Sequence, residues 1–149
     1  MRDDRQMPRT TSGPEKAGYS GTPLSQKLGI KPGDVVLLVS APVGFEELLA
    51  PLPDGACVLT KATRADVVVT FVTSYAQVRR RFDPLAAVVF PAGGLWLAWP
   101  KRASKVPTDL TEDVIRDHAL AAGLVDNKVC AIDETWSGLR IVHRRENRR

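Results

Sequence analysis

Asp66-Val67-Val68-Val69-Thr70-Phe71-Val72 is apolar at successive positions rather than at alternate ones. A strand with one face in water alternates apolar and polar residues. A run without alternation is covered on both faces, as in the middle of a parallel sheet. Upstream, Val35-Val36-Leu37-Leu38-Val39 has the same character, and downstream Leu95-Trp96-Leu97-Ala98-Trp99 repeats it. Between the last two runs, Thr73 or Ser74 caps a helix through Phe82, and Asp83-Pro84 opens a second helical stretch to about Val89. Buried strand, helix, buried strand is the signature of a mostly parallel sheet with helices on both faces.

Outward from that centre the alternation continues. Thr22-Pro23-Leu24-Ser25-Gln26-Lys27-Leu28-Gly29 predicts a short helix, with Thr22 as cap, Pro23 in the first turn and Gly29 as the stop. Ser40-Ala41-Pro42-Val43-Gly44 predicts a loop, Phe45 to Leu49 a short helix, and Ala56 to Leu59 a short strand. Residues 108–112 (Thr-Asp-Leu-Thr-Glu) begin the last helix, whose apolar stripe is Val114, Ile115, His118, Ala119 and Ala122, and Gly123 ends it. Lys128 to Ile132 and Leu139 to Val142 then predict a hairpin around Trp136-Ser137-Gly138. The sum is an α/β sheet of about six strands with a C-terminal antiparallel hairpin.

A chain of 149 residues with 44% hydrophobic content is the size of one self-sufficient domain. The expected division is a disordered tail over 1–17, an α/β domain over 18–144, and a basic tail over 145–149. No apolar run approaches the ~20 residues needed to span a bilayer, and the first residues lack an apolar signal segment. The expected location is cytoplasmic. Cys57 and Cys130 fall in predicted buried strands and read as core residues; neither they nor His118 and His143 have metal-ligand spacing, so no metal is expected. His118, on an apolar helix face, reads as a satisfied core residue, and His143 as structural or surface. The net charge of +4 is concentrated in Arg140, Arg144, Arg145, Arg148 and Arg149 against Glu146. Without interleaved aromatics, such a stretch gives at most weak, sequence-independent nucleic-acid contact.

Two resemblances rest on these residues. The turn Gly93-Gly94 before a strand ending Trp99-Pro100, the helix to Gly123, and the closing pair of strands resemble the fifth strand and C-terminal end of the Rossmann-like S-adenosylmethionine-dependent methyltransferases. This implies a three-layer, Rossmann-like fold in degenerate, shortened form, with one strand and its helix missing between Leu59 and Asp66. Residues 18–24 (GYSGTPL), 99–101 (WPK), 108–113 (TDLTED) and 133–139 (DETWSGL) resemble a family of small bacterial proteins defined only as a domain of unknown function. That resemblance implies a shared fold and no activity.

A methyl-donor site of that kind needs a glycine-rich loop after the first strand and a carboxylate at the end of the second to hold the ribose hydroxyls. Here the loop has one glycine, Gly44, and Pro42 removes an amide donor. The second strand runs into Thr60-Lys61-Ala62-Thr63, without an acid, and Thr73-Ser74-Tyr75 stands where amino-methylating members carry Asn/Asp-Pro-Pro-aromatic. No cofactor is therefore expected. Ligands of parallel sheets bind beyond the carboxyl ends of the strands, which makes Ser40, Pro42, Gly44, Ser74, Lys101, Thr108, Asp109, Glu134, Trp136 and Ser137 the candidate rim. The bland roles are helix caps for Thr108 and Asp109, turn chemistry for Ser137, and a solvated charge for Lys101. The expectation is a non-catalytic module that binds a protein partner or small ligand at this rim, with an exposed Trp136 as anchor. The alternative is an enzyme of unrecognised type acting on a small anionic substrate, with Lys101 as anchor and Asp109 or Glu134 as acid or base.

Overall fold

A computed structural model of the protein describes residues 22–148. The expected N-terminal tail, the segment 18–21 and Arg149 lie outside the described residues. The strands are β1 (Val35–Val39), β2 (Cys57–Leu59), β3 (Val67–Phe71), β4 (Gly94–Pro100), β5 (Leu124–Ala131) and β6 (Trp136–His143). The helices are α1 (Leu24–Lys27), α2 (Phe45–Leu49), α3 (Tyr75–Val89) and α4 (Glu112–Ala121). The sheet order is β2-β1-β3-β4-β6-β5. β2, β1, β3 and β4 run parallel, and β6 enters antiparallel between β4 and β5.

The three apolar runs that decide the fold are the three central strands. Val67 to Phe71 and Gly94 to Pro100 are buried at every position. One face carries Leu28, Phe45, Leu49, Val69, Phe71 and Trp96 under α1 and α2; the other carries Val68, Phe82, Leu95, Leu97, Ile115 and Leu139 under α3 and α4. Trp96 is fully buried and donates its indole N–H to the Leu28 carbonyl at 3.0 Å, pinning the end of α1 to the sheet.

β2 pairs only with β1 and forms one edge. The segment 60–66 returns directly to β3, so the strand and helix expected to be missing are absent from this sheet. This corrects the reading of Cys57 as buried: it is exposed on the uncovered edge, whereas Cys130 is half-buried and its thiol pKa is pushed up by burial. Contrary to the two helices expected on either side of Asp83, Pro84 lies inside one helix of 15 residues. A proline removes one main-chain hydrogen bond, and here Val78, Phe82, Ala86 and Val89 keep the helix seated on both sides of it. The last helix begins at Glu112; of the two threonines in 108–112 able to cap it, Thr111 does so, accepting from the Val114 amide at 3.2 Å. Ala122 of the predicted stripe is exposed. Within the expected basic tail, Arg145–Asn147 form a 3-10 turn, and Arg148 Nε donates to the His143 carbonyl at 2.9 Å. No helix among the described residues is long and apolar enough to cross a membrane.

Candidate functional site

The carboxyl ends of the parallel strands divide the predicted rim into three groups. Ser40, Pro42 and Gly44 belong to the loop between β1 and α2. There Ser40 (φ 59°) and Gly44 (φ 88°) both take the left-handed conformation, which reverses the chain over the end of β1. At Gly44 an added Cβ would meet open space, so glycine serves the backbone turn and not a packing need. The loop forms the wall of an open cavity of about 670 Å³, completed by Leu38, Phe45, Glu46, Glu47 and Thr60.

The second group is a set of ties. Ser74 caps α3 by accepting from the Gln77 amide at 3.3 Å, while the Gln77 side chain accepts from the Thr73 amide at 2.7 Å. Asp109 accepts from the Tyr75 amide at 2.8 Å, adding a carboxylate to the same helix start. Thr108 donates to the Thr73 carbonyl at 2.6 Å and accepts from the Leu110 amide at 3.0 Å. Asp109 is thus engaged in holding two loops together rather than free as an acid or base. A second open cavity, about 510 Å³, lies beside these residues between Trp99 and Glu112.

The third group surrounds the β5–β6 turn. Asp133, which is not among the rim residues expected from sequence, organises it by accepting from the amides of Thr135 and Trp136, both at 2.8 Å. The Lys101 amide donates to the Thr135 carbonyl at 2.7 Å, joining the end of β4 to this turn. Glu134 is exposed, and Ser137 lies in β6 opposite Trp99. Trp136 is not the exposed anchor expected. It is in β6, half-buried, with its ring edge-on to Phe71 at 5.0 Å. Trp136→Ala is expected to lower stability by about 2 kcal/mol, between a surface change and the ~3–5 kcal/mol of a fully buried aromatic. A urea midpoint unchanged from the parent would contradict this packing.

Both histidines are tied to neighbours. His118 Nδ1 shares a 3.0 Å hydrogen bond with the Tyr75 hydroxyl, and its ring meets Phe82 at 4.9 Å. His143 Nε2 donates to the Ala86 carbonyl at 2.7 Å. No group of three or more His, Cys, Asp or Glu is arranged to hold a metal among the described residues. Three further residues stand at the strand ends without a motif to mark them. Glu46 and Glu47 line the cavity at β1 from the first turn of α2. Arg81 reaches from α3 to the end of β3, donating to Thr70 Oγ1 at 3.2 Å and the Phe71 carbonyl at 2.9 Å; burial, with Arg80 nearby, lowers its pKa. The signal for the glutamates is their place in the first turn after a left-handed glycine. A search confined to the end of the second strand does not find them.

No family model matches the chain, and no curated protein matches it by sequence. The fold has counterparts among solved structures. DhpI in complex with S-adenosylhomocysteine superposes with a TM-score of 0.54 at 13% identity, covering 82% of this chain and 83% of that one. A provisionally assigned methyltransferase from Thermoplasma acidophilum gives 0.52 at 10%, covering 78% and 71%. The magnesium protoporphyrin IX methyltransferase ChlM from Synechocystis PCC 6803, with bound S-adenosylmethionine, gives 0.50 at 13%, covering 81% and 74%. The chain has the Rossmann-like methyltransferase fold, with a six-stranded, mostly parallel sheet and an antiparallel pair. These likenesses overturn the expectation of a non-catalytic binding module, which rested on the empty motif positions. The short bacterial motifs find no counterpart in the family comparison.

Proposed function

We propose that the chain is a pared-down methyltransferase that binds S-adenosylmethionine in the cavity between β1, α2 and Thr60. The observation that carries this reading is the charge of that cavity. Among the described residues, its lining holds two carboxylates, Glu46 and Glu47, and no cationic side chain. S-adenosylmethionine carries a sulfonium, an ammonium and one carboxylate, a net positive charge, so a pocket with acceptors and no competing cation suits its sulfonium and ammonium. The ribose hydroxyls need acceptors, which Glu46 or Glu47 and the Thr60 hydroxyl supply from different elements than the usual second-strand acid. Among the described residues, the amides of Val43 and Gly44 engage no backbone carbonyl and are left for the ligand. Pro42 costs one donor, and Gly44 leaves open space for a close approach. When bound, the cofactor supplies an electrophilic methyl group. The cavity beside Trp99 and Thr108, two strands along the same end of the sheet, is the place for the acceptor.

Calorimetric titration with S-adenosylmethionine and with S-adenosylhomocysteine tests this. Saturable micromolar binding is expected, weakened about tenfold or more in the Glu46→Gln/Glu47→Gln double variant, because a hydrogen bond to a charged group contributes about 1.5–3 kcal/mol. No saturable heat with either compound at millimolar concentration ends the reading.

A further inference from the structure

We propose a second ligand site at the opposite, amino end of the sheet, where Arg140 receives the phosphate group of a small molecule. The site is an open cavity of about 340 Å³. Its floor is the start of β1 and β3 and the turn before β4, and Arg140, Arg64, Lys31 and Phe90 line it.

Arg140 is built into this cavity. It lies on β6 opposite Trp96, on the face that carries α1. Its guanidinium rests on the backbone at Gly94, where an added Cβ would stand 2.7 Å from Cζ and 2.8 Å from Nη2. Any residue other than glycine at 94 would displace the charged group. The guanidinium is half-buried, and among the described residues no carboxylate or carbonyl pairs with it. Two carboxylates do line the cavity, but each is turned to a main-chain amide: Asp34 accepts from Lys31 N at 2.9 Å and Asp66 from Val35 N at 2.8 Å. Burial lowers the pKa of Arg140, and nearby Arg148, itself held by the His143 carbonyl, lowers it further. A half-buried arginine with no carboxylate or carbonyl in direct contact is an unfavourable arrangement. An anion relieves it.

The chemistry favours a phosphate. A guanidinium fork binds a planar pair of phosphate oxygens bidentately. Lys31 and Arg64, both exposed and lacking a side-chain partner among the described residues, supply further charge for a dianion. Phe90, whose ring is edge-on to His143 at 5.0 Å, offers an exposed apolar surface for the rest of the molecule. The cavity's size suits a small ester rather than a polymer.

Titration calorimetry with inorganic phosphate, a nucleoside monophosphate and a short RNA oligonucleotide tests this on the full chain. The first two are expected to bind saturably. Arg140→Met, which keeps the apolar stem, should weaken them about tenfold or more, and Arg140→Lys should restore part of the loss. An Arg144→Gln/Arg145→Gln variant should bind both as the parent does. On the parent protein, phosphate should shift the Arg140 Nε–H resonance, a measurement that holds even if Arg140→Met folds poorly. The proposal is overturned by no saturable phosphate binding at millimolar concentration, by an unmoved Arg140 resonance, or by an affinity that Arg140→Met leaves intact. It is also overturned if only the RNA binds and the Arg144/Arg145 variant abolishes it.

Discussion

Trp96→Ala is expected to cost about 3–5 kcal/mol, a large part of the ~5–15 kcal/mol that is the whole stability of a typical domain. Three losses coincide at this position. The ring is fully buried in the middle of the sheet, so its removal leaves a cavity. Its N–H is the partner of the Leu28 carbonyl, which becomes a buried acceptor without a donor. Its edge also fills the space over Gly138, where an added Cβ would stand 3.0 Å from the indole. Trp96→Phe separates these effects in part, since it keeps most of the volume and loses chiefly the hydrogen bond. Its expected cost is about 1–3 kcal/mol. Urea unfolding followed by circular dichroism reads both. A Trp96→Ala loss no larger than that of Trp96→Phe would mean that the site collapses around the smaller residue.

Gly93→Val is the second large effect, of about 3 kcal/mol or more, by overpacking against groups that cannot give way. An added Cβ at Gly93 would stand 2.7 Å from the Asp66 carbonyl oxygen and 2.9 Å from that of Val89. Both are backbone, and both are engaged: the Gly94 amide donates to Asp66 at 3.0 Å, and the Gly93 amide to Val89 at 2.8 Å. Making room breaks the junction of β3, α3 and β4 in one step. Gly123→Ala is the control. It also places a side chain on a glycine, at φ 88°, but with nothing within 4 Å, so only backbone strain of about 1–2 kcal/mol is expected. Equal melting temperatures for Gly93→Val and Gly123→Ala would contradict the close approach.

The parts of the fold legible in the sequence are those where burial leaves a pattern. Val35 to Val39, Val67 to Phe71 and Leu95 to Trp99 lie in strands covered on both faces, and double coverage requires an apolar residue at nearly every position. The hairpin is legible in kind but not in extent. β5 begins at Leu124, with an irregularity between Asp126 and Lys128, and its exposed positions are Asn127, Lys128 and the apolar Val129, so no clean alternation marks it. At α3 the local rule about proline predicts two helices, and tertiary packing around Phe82 and Ala86 outweighs it.

The site is less legible, for a physical reason. Polar residues at strand ends serve equally as caps, ties and ligands, and one-dimensional spacing does not separate these roles. Ser74, Thr108 and Asp109 share only their position with Ser40 and Gly44; in the fold they hold the start of α3 and the loop before α4 together. Glu46 and Glu47 escape a rule that places the acid at the end of β2. Arg140 sits in sequence beside a basic tail, although its strand holds it half-buried against the sheet and Gly94, on the neighbouring strand, makes the room. The fold itself follows the same course: the motif positions of a methyltransferase are empty, while the arrangement of strands is the one methyltransferases have.

The place of β6 between β4 and β5 has a consequence for synthesis. Until residues 136–143 are made, β4 presents the ladder groups of Leu95 and Leu97 to no partner, and β5 has nothing to pair with. At ~5–20 residues per second, the roughly 40 residues from Pro100 to His143 keep that ladder open for several seconds on the ribosome. A nascent chain in that state carries an unpaired, apolar strand edge, the kind of surface that holdase chaperones cover and that neighbouring nascent chains on a polysome can join. The sheet therefore closes late and from its middle, with the last strand to emerge acting as the keystone.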